Sequence, residues 1–172
     1  MIPREGETMT EADKAFEAAR EMIAEAKRHG AEGLGFDQDA TRALTQLPDE
    51  IGALGGLKAL DLSNTGVSDL TPLAGLTSLT TLSLNSTDVS DLTPLAGLTG
   101  LTYLSLNGTG VSDIAPLAGL TGLTTLYLNN TGVSDLTPLA GLTRLARLDL
   151  NSTDVSDLTP LAGLTGLTQL YL

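Results

Sequence analysis

Apolar residues recur along most of this chain with a period of 22 residues. A leucine opens each unit, at Leu57, Leu79, Leu101, Leu123, Leu145 and Leu167. The head of each unit reads LxxLxL, and this alternation predicts a short strand whose leucines point inward and whose other residues face solvent. In the first unit, the return segment is expected to fill the same layer with Val67, Leu70, Leu73 and Leu76. One unit cannot bury all of these side chains alone, so neighbouring units must stack.

A different pattern, with apolar residues three or four apart, precedes the repeats. It predicts a helix over about residues 11–29 with one apolar stripe, which consists of Ala12, Ala15, Phe16, Ala19, Met22, Ile23 and Ala26. Thr10 and Asp13 have the spacing of a capping box, and Gly30 suits the C-cap. Because the first edge of a stacked array needs a cover, we interpret this helix as a cap that packs on the first repeat.

These patterns divide the chain into four parts. We assign residues 1–9 to a flexible tail, 10–30 to the capping helix, 31–56 to an irregular first repeat, and 57–172 to five 22-residue repeats plus a partial sixth. In the irregular repeat, Leu34 and Phe36 are expected to be the inward pair of a first strand. The spacing from Leu34 to Leu60 exceeds 22, which predicts an insertion at 37–41 that bulges outward.

Two features of the repeat predict hydrogen bonds. Thr71-Pro72 and its equivalents suggest a threonine N-cap followed by a short 3₁₀ or α turn on the convex side. The ninth position of each unit is a threonine, and these side chains are expected to bond the backbone of neighbouring turns. They are Thr65, Thr87, Thr109, Thr131 and Thr153.

Self-similarity at this period, headed by LxxLxL, is the signature of a leucine-rich repeat solenoid. We therefore predict an α/β fold, a right-handed horseshoe-type solenoid with an N-terminal capping helix. The LxxLxL head joined to VSDLTPLAGLT resembles the bacterial 22-residue class typified by internalins, and the resemblance covers 57–172. Internalins are exported surface proteins that bind host receptors, so this resemblance implies a role in recognition. The helix leading into LTQLPDEIGALGGL also resembles the start of bacterial cytoplasmic proteins whose repeats precede a GTPase or signalling domain.

Composition narrows the classes of partner. The net charge is −12, and only Arg144 and Arg147 are basic after Lys58, which argues against nucleic acid. The chain has no cysteine, no recognisable signal peptide and no long apolar run. These features predict a cytoplasmic location and no membrane partner.

The outward strand positions carry most of the variation between units. The third position of each unit runs Ala59, Thr81, Tyr103, Thr125, Arg147, Gln169, and the fifth runs Asp61, Ser83, Ser105, Tyr127, Asp149, Tyr171. Tyrosine and arginine are the residues most often found as binding anchors. We therefore predict a partner-binding site on the concave sheet face, in preference to chance placement of tyrosine in strands. Its residues are Tyr103, Tyr127, Arg147, Asp149, Gln169 and Tyr171.

A second column is acidic and consists of Asp69, Asp91, Asp113, Asp135 and Asp157. It is either a strip that binds cations or a set of carboxylates that accept local backbone N–H bonds, and we favour the second. His29, the lone histidine, is more consistent with a partner for the helix dipole than with a catalyst. No nucleophile–base set, metal cluster or GxxxxGK[ST] motif is present, so we expect no enzyme activity, metal or cofactor.

The function predicted from these observations is non-enzymatic recognition of a protein through the concave face. The alternative is a rigid structural or regulatory sensor segment of a larger, multidomain bacterial signalling protein. The sequence stops at Leu172 within a strand and has no polar capping unit there. This predicts a fragment or a missing cap, with weak self-association through the open last repeat or, alternatively, a frayed monomer.

Overall fold

The computed structural model describes residues 8–36 and 39–172, so the predicted tail at 1–9 lies almost wholly outside the described residues. One α-helix, α1 (Glu11–His29), precedes seven three-residue strands in this part of the chain. The strands are β1 (Gly33–Gly35), β2 (Ala59–Asp61), β3 (Thr81–Ser83), β4 (Tyr103–Ser105), β5 (Thr125–Tyr127), β6 (Arg147–Asp149) and β7 (Gln169–Tyr171). They form one parallel sheet in the order β1 to β7, which confirms the predicted solenoid with its N-terminal helix.

The register of the sheet stacks equivalent residues of successive repeats. Leu60 pairs with Leu34 on one side and with Leu82 on the other, and the same leucine column continues to Leu170. Backbone bonds extend the ladder beyond the strands, for example from Leu62 N to Ser83 O at 2.9 Å. The inward leucines from Leu60 to Leu148 are buried, as the alternation predicts. One continuous apolar core therefore runs along the stack.

The cap α1 begins and ends as the sequence predicts. The Thr10 side chain accepts from Asp13 N, the Asp13 carboxylate accepts from Thr10 N, and Gly30 ends the helix with φ 60°. The side chains buried against the core are Ala15, Ala19, Ile23 and Ala26. Phe16 and Met22 pack at the edge of the core and are only partly buried. The buried face of the helix is thus mostly alanine with Ile23 among it, and Phe16 and Met22 lie at its margin.

Each regular return segment contains a short 3₁₀ turn, such as Thr71–Leu73. The predicted threonine N-cap is wrong, because Leu70 occupies the cap position and no side chain caps the turn there. Thr71 is the first residue of the turn, and its N–H donates to Asp69 Oδ1 at 2.8 Å. The aspartate two residues earlier therefore provides the acceptor that we expected from the threonine.

The threonines at the ninth position, buried except for the half-buried Thr153, do not bond neighbouring turns. The Thr65 hydroxyl donates to Leu62 O at 2.7 Å, within its own turn, and the four equivalent threonines do the same. The ladder prediction is therefore wrong in its partners. The threonine hydroxyls that do bond an adjacent repeat are at the second position, in Thr80, Thr102, Thr124 and Thr168, each of which donates to a carbonyl 22 residues earlier.

The insertion in the irregular repeat does not bulge outward along its whole length. Residues 37 and 38 lie outside the described part of the chain. Thr41 is fully buried, and its hydroxyl donates to Phe36 O. The short turn Asp39–Thr41 lies against α1, so its end is part of the cap interface.

Candidate functional site

The outer face of the sheet displays the third and fifth residues of each repeat. Strands β2, β3, β5 and β6 show a buried central leucine between two half-buried residues. The register places Thr125 between Tyr103 and Arg147 in one row. The second row runs Ser105, Tyr127, Asp149 and Tyr171. The six predicted site residues therefore lie on four adjacent strands, on one surface.

Four of these residues touch one another diagonally across the strands. The rings of Tyr103 and Tyr127 have centroids 5.7 Å apart and an interplanar angle of 56°. The guanidinium carbon of Arg147 lies 5.1 Å from the Tyr127 ring centroid and 5.2 Å from that of Tyr171. These distances fall in the range of aromatic and cation–π contacts. We call Tyr103, Tyr127, Arg147 and Tyr171 the aromatic–arginine stack.

Arg147 makes its stacking contacts without an ion pair to any described residue. Its Nε atom is buried and has no hydrogen-bond partner. Asp149 shares the strand, but its Oδ1 accepts from the backbone N and the side-chain Nδ2 of Asn151, at 3.1 and 2.6 Å. The carboxylate nearest in sequence is thus engaged elsewhere. Gln169, in register beside Arg147, is exposed.

The first half of the outer face is built from small side chains, in contrast to the aromatic–arginine stack. Ser105 is buried, and its hydroxyl donates to Asn85 Oδ1, which also accepts from Asn107 N at 3.2 Å. The Oδ1 atom of Asn107 is buried without a hydrogen-bond partner. We did not single out these asparagines from the sequence. Their recurrence at the seventh position, at Asn85, Asn107, Asn129 and Asn151, was the available signal.

The acidic column is explained by local hydrogen bonds. Each of its five carboxylates accepts from the backbone N–H two residues later at 2.8 Å. For Asp135, the Thr137 hydroxyl and then its backbone N–H favour the charged form and hold the pKa below its usual value. The pKa values of Asp69, Asp91 and Asp157 are lowered by the same pair of groups. This geometry agrees with the turn interpretation that we favoured over a cation strip.

The described residues contain no group of three or more histidine, cysteine, aspartate or glutamate side chains placed to hold a metal ion. Within the same residues, no helix has both the length and the apolar character needed to cross a membrane. The cytoplasmic location stays a prediction.

Comparison with known proteins identifies the family. The family model described as leucine-rich repeats (2 copies) matches residues 56–97 and 99–141. The solved structure of internalin C2 from Listeria monocytogenes is similar, with 40% sequence identity and a TM-score of 0.71 over 74% of this chain. The chain is a leucine-rich repeat protein of the bacterial, internalin-like class. No curated protein matches this leucine-rich repeat chain.

Two further solved structures share the fold of this leucine-rich repeat protein. The internalin inlF of Listeria monocytogenes is 35% identical with a TM-score of 0.76, over 80% of this chain. A leucine-rich repeat protein of Leptospira interrogans is 26% identical with a TM-score of 0.72, over 76% of this chain. The matches span 58% of internalin C2, 40% of inlF and 34% of the Leptospira protein. Internalin-like repeats generally form protein–protein interaction modules.

Proposed function

We propose that this chain is a non-catalytic module that recognises a protein partner through the outer face of its sheet. The contact residues are Tyr103, Tyr127, Arg147, Asp149, Gln169 and Tyr171. The observation that carries the proposal is the placement of Arg147 between the rings of Tyr127 and Tyr171. Large side chains already held by one another lose less conformational entropy when a partner binds.

The proposed site is too narrow to form a complete protein interface by itself. Four adjacent strands about 4.8 Å apart span roughly 15 Å. An ordinary interface buries about 800 Å² on each partner, which needs a wider surface. We therefore expect the small-residue half of the face, including Ser83 and Ser105, to contribute shape and hydrogen bonds around an energetic centre at the stack.

Photocrosslinking tests which surface meets the partner. A photoreactive phenylalanine analogue replaces Thr125, between Tyr103 and Arg147 on the outer face, or Ala140, which is exposed in a return segment. We expect one partner to be captured from Thr125 and not from Ala140. Equal capture from both positions would contradict recognition by the sheet.

The double variant Tyr127→Ala/Arg147→Ala then measures the contribution of the stack. Loss of two anchors should weaken binding of the captured partner at least about tenfold. The melting temperature should change little, since a cation–π contact between half-buried surface side chains contributes only about 1 kcal/mol. Arg144→Ala, an exposed arginine outside the strands, is the matched control. Parallel losses of affinity and stability would show that the stack is structural.

The continuous core and ladder from β1 to β7 also favour a second role, as a rigid segment between other domains. In that case the outer face would tolerate the double variant without any loss of partner binding. A sensor or spacer would instead be disturbed by changes in the leucine core. The same pair of measurements therefore separates the two functions.

A further inference from the structure

Arg147 differs from every other outward residue in its strand columns because it is the only lysine or arginine among them. Its guanidinium carbon lies over the ring of Tyr127 and over the ring of Tyr171, at 5.1 and 5.2 Å from their centroids. The N–H donors of a guanidinium point outward in its plane, along its edge. Contact with Tyr127 and Tyr171 therefore restricts the position of the Arg147 guanidinium and leaves its terminal nitrogens available for hydrogen bonds.

No described residue uses that edge. Arg147 has no ion pair or side-chain hydrogen bond in the described part of the chain, and its Nε atom is buried without a partner. By contrast, Arg20 pairs with Glu50 at 3.0 Å, and Lys58 pairs with Glu32. The terminal nitrogens of Arg147 thus pair with no described residue, and a charged acceptor makes the strongest hydrogen bonds to a guanidinium.

We infer that Arg147 is the anchor for a carboxylate side chain, aspartate or glutamate, of the protein partner, with Tyr127 and Tyr171 as the walls that hold it. This assignment rests on the proposed function and names the chemistry of its central contact. The planar fork of an arginine matches the two oxygens of a carboxylate. The two rings replace part of the water around the guanidinium, which strengthens an ion pair there relative to a fully exposed one.

The surrounding charge limits the partner to an isolated carboxylate. The chain carries a net charge of −12, and Asp149 lies two residues from Arg147 on the same face. A run of acidic residues would be repelled by this field, whereas a single carboxylate directed at the guanidinium is attracted at short range. The matching partner surface presents one aspartate or glutamate among neutral or basic residues.

The test observes Arg147 directly and does not need the natural partner. The probe is a capped tripeptide, acetyl-Ala-Glu-Ala-amide, titrated to tens of millimolar into the ¹⁵N-labelled chain. We expect a saturable shift of the Arg147 Nε–H resonance, together with shifts of the Tyr127 and Tyr171 ring protons. Acetyl-Ala-Gln-Ala-amide, which has the same shape without the charge, should cause no such shift.

Two variants provide the controls on this assignment. Arg147→Lys keeps the charge but loses the planar fork, so the ring shifts should weaken strongly. Arg144→Gln removes an exposed arginine outside the strands and should leave the titration unchanged. Circular dichroism of each variant verifies the fold, so a lost shift reports on the site and not on unfolding.

Three outcomes would overturn the inference. These are no shift with the glutamate peptide, an equal shift with the glutamine peptide, or a shift only with acetyl-Ala-Gln-Ala that has a free carboxyl terminus. The last outcome would assign the site to a chain end and not to a side chain. Each of these outcomes can be distinguished from failure of the proposed function, because the double variant tests partner binding separately from the peptide titration. If the double variant still loses partner binding, the face binds protein without a carboxylate at Arg147.

Discussion

The same leucine of the repeat has opposite environments in the middle and at the end of the stack. Leu104, at the centre of β4, is fully buried, whereas Leu170, at the centre of β7, is 38% exposed. Leu136 and Leu158 occupy equivalent places in successive return segments and show the same contrast, at 1% and 38%. The LxxLxL pattern is shared by the first pair and the sequence VSDLTPLAGL by the second, so burial depends on a neighbouring turn being present on both sides. At the opposite end α1 takes the place of that neighbour, and Phe36 and Leu44 are fully buried beneath it.

The largest difference in unfolding free energy is expected between truncations of the two equivalent strand leucines, Leu104 and Leu170. Leu104→Ala should lower the free energy of unfolding by about 2–5 kcal/mol, because it leaves a cavity between two repeats. Leu170→Ala should cost about 1 kcal/mol or less, since water already reaches its side chain. Urea denaturation monitored by circular dichroism measures both. Equal losses would show that the last repeat is as well packed as the middle.

A smaller effect is expected where α1 covers the first repeat. Phe16→Ala would cost about 3–5 kcal/mol for a fully buried ring, but this ring is only partly buried, and we expect about 2 kcal/mol. Ala19→Gly, at a fully buried position, should cost about 1 kcal/mol through helix propensity and is a control that leaves the ring in place. A change in unfolding free energy within error for Phe16→Ala would mean that the helix does not depend on its ring for docking.

The acidic column tests whether the hydrogen bonds within a turn, like the burial of the leucines, differ between the middle and the end of the stack. Asp135 and Asp157 accept their N–H bonds at the same 2.8 Å, and both pKa values are lowered. A lowered folded-state pKa stabilises the folded chain above the unfolded pKa, and this contribution is lost as the pH falls through the folded pKa. Asp135→Asn and Asp157→Asn should therefore each destabilise the chain slightly at neutral pH and hardly at all in acid.

Thermal melts of the two asparagine variants across the acidic range measure this dependence. Similar curves would show that the turn bonds act locally, whatever the burial of their repeat. A pH-independent loss, or a loss that grows in acid, would contradict the sign derived from the lowered pKa values.

The smallest expected effect is self-association through the open end. Leu158, Leu170 and Leu172 are exposed there, and β7 has an unpaired edge. Exposed apolar side chains and an open strand edge favour pairing with a second chain. Sedimentation velocity over a wide concentration range should show a weak dimer, which a polar capping repeat fused after Leu172 abolishes. A strict monomer, unchanged by the added repeat, would rule out this association.

The sequence by itself determined the architecture of this protein, because period and alternation are local properties that any stacked unit must satisfy. The LxxLxL heads predicted the buried columns from Leu60 to Leu148, and Thr10, Asp13 and Gly30 predicted both ends of α1. The outward positions followed from the same alternation. The structure therefore brings together residues that the sequence had already placed on one face.

Tertiary structure alone decided which of these residues touch. The diagonal contact of Arg147 with Tyr127 and Tyr171 depends on sheet register and side-chain direction, and neither can be read from one repeat. The ninth-position threonine bonds were mispredicted because the position of the side chain in the turn decides the partner: Thr65 bonds its own turn, whereas Thr80 bonds the adjacent repeat. The partial burial of Phe16 likewise depends on how closely α1 approaches the first repeat, which the apolar stripe alone does not state. These outcomes depend on contacts between elements, which a local sequence pattern does not predict.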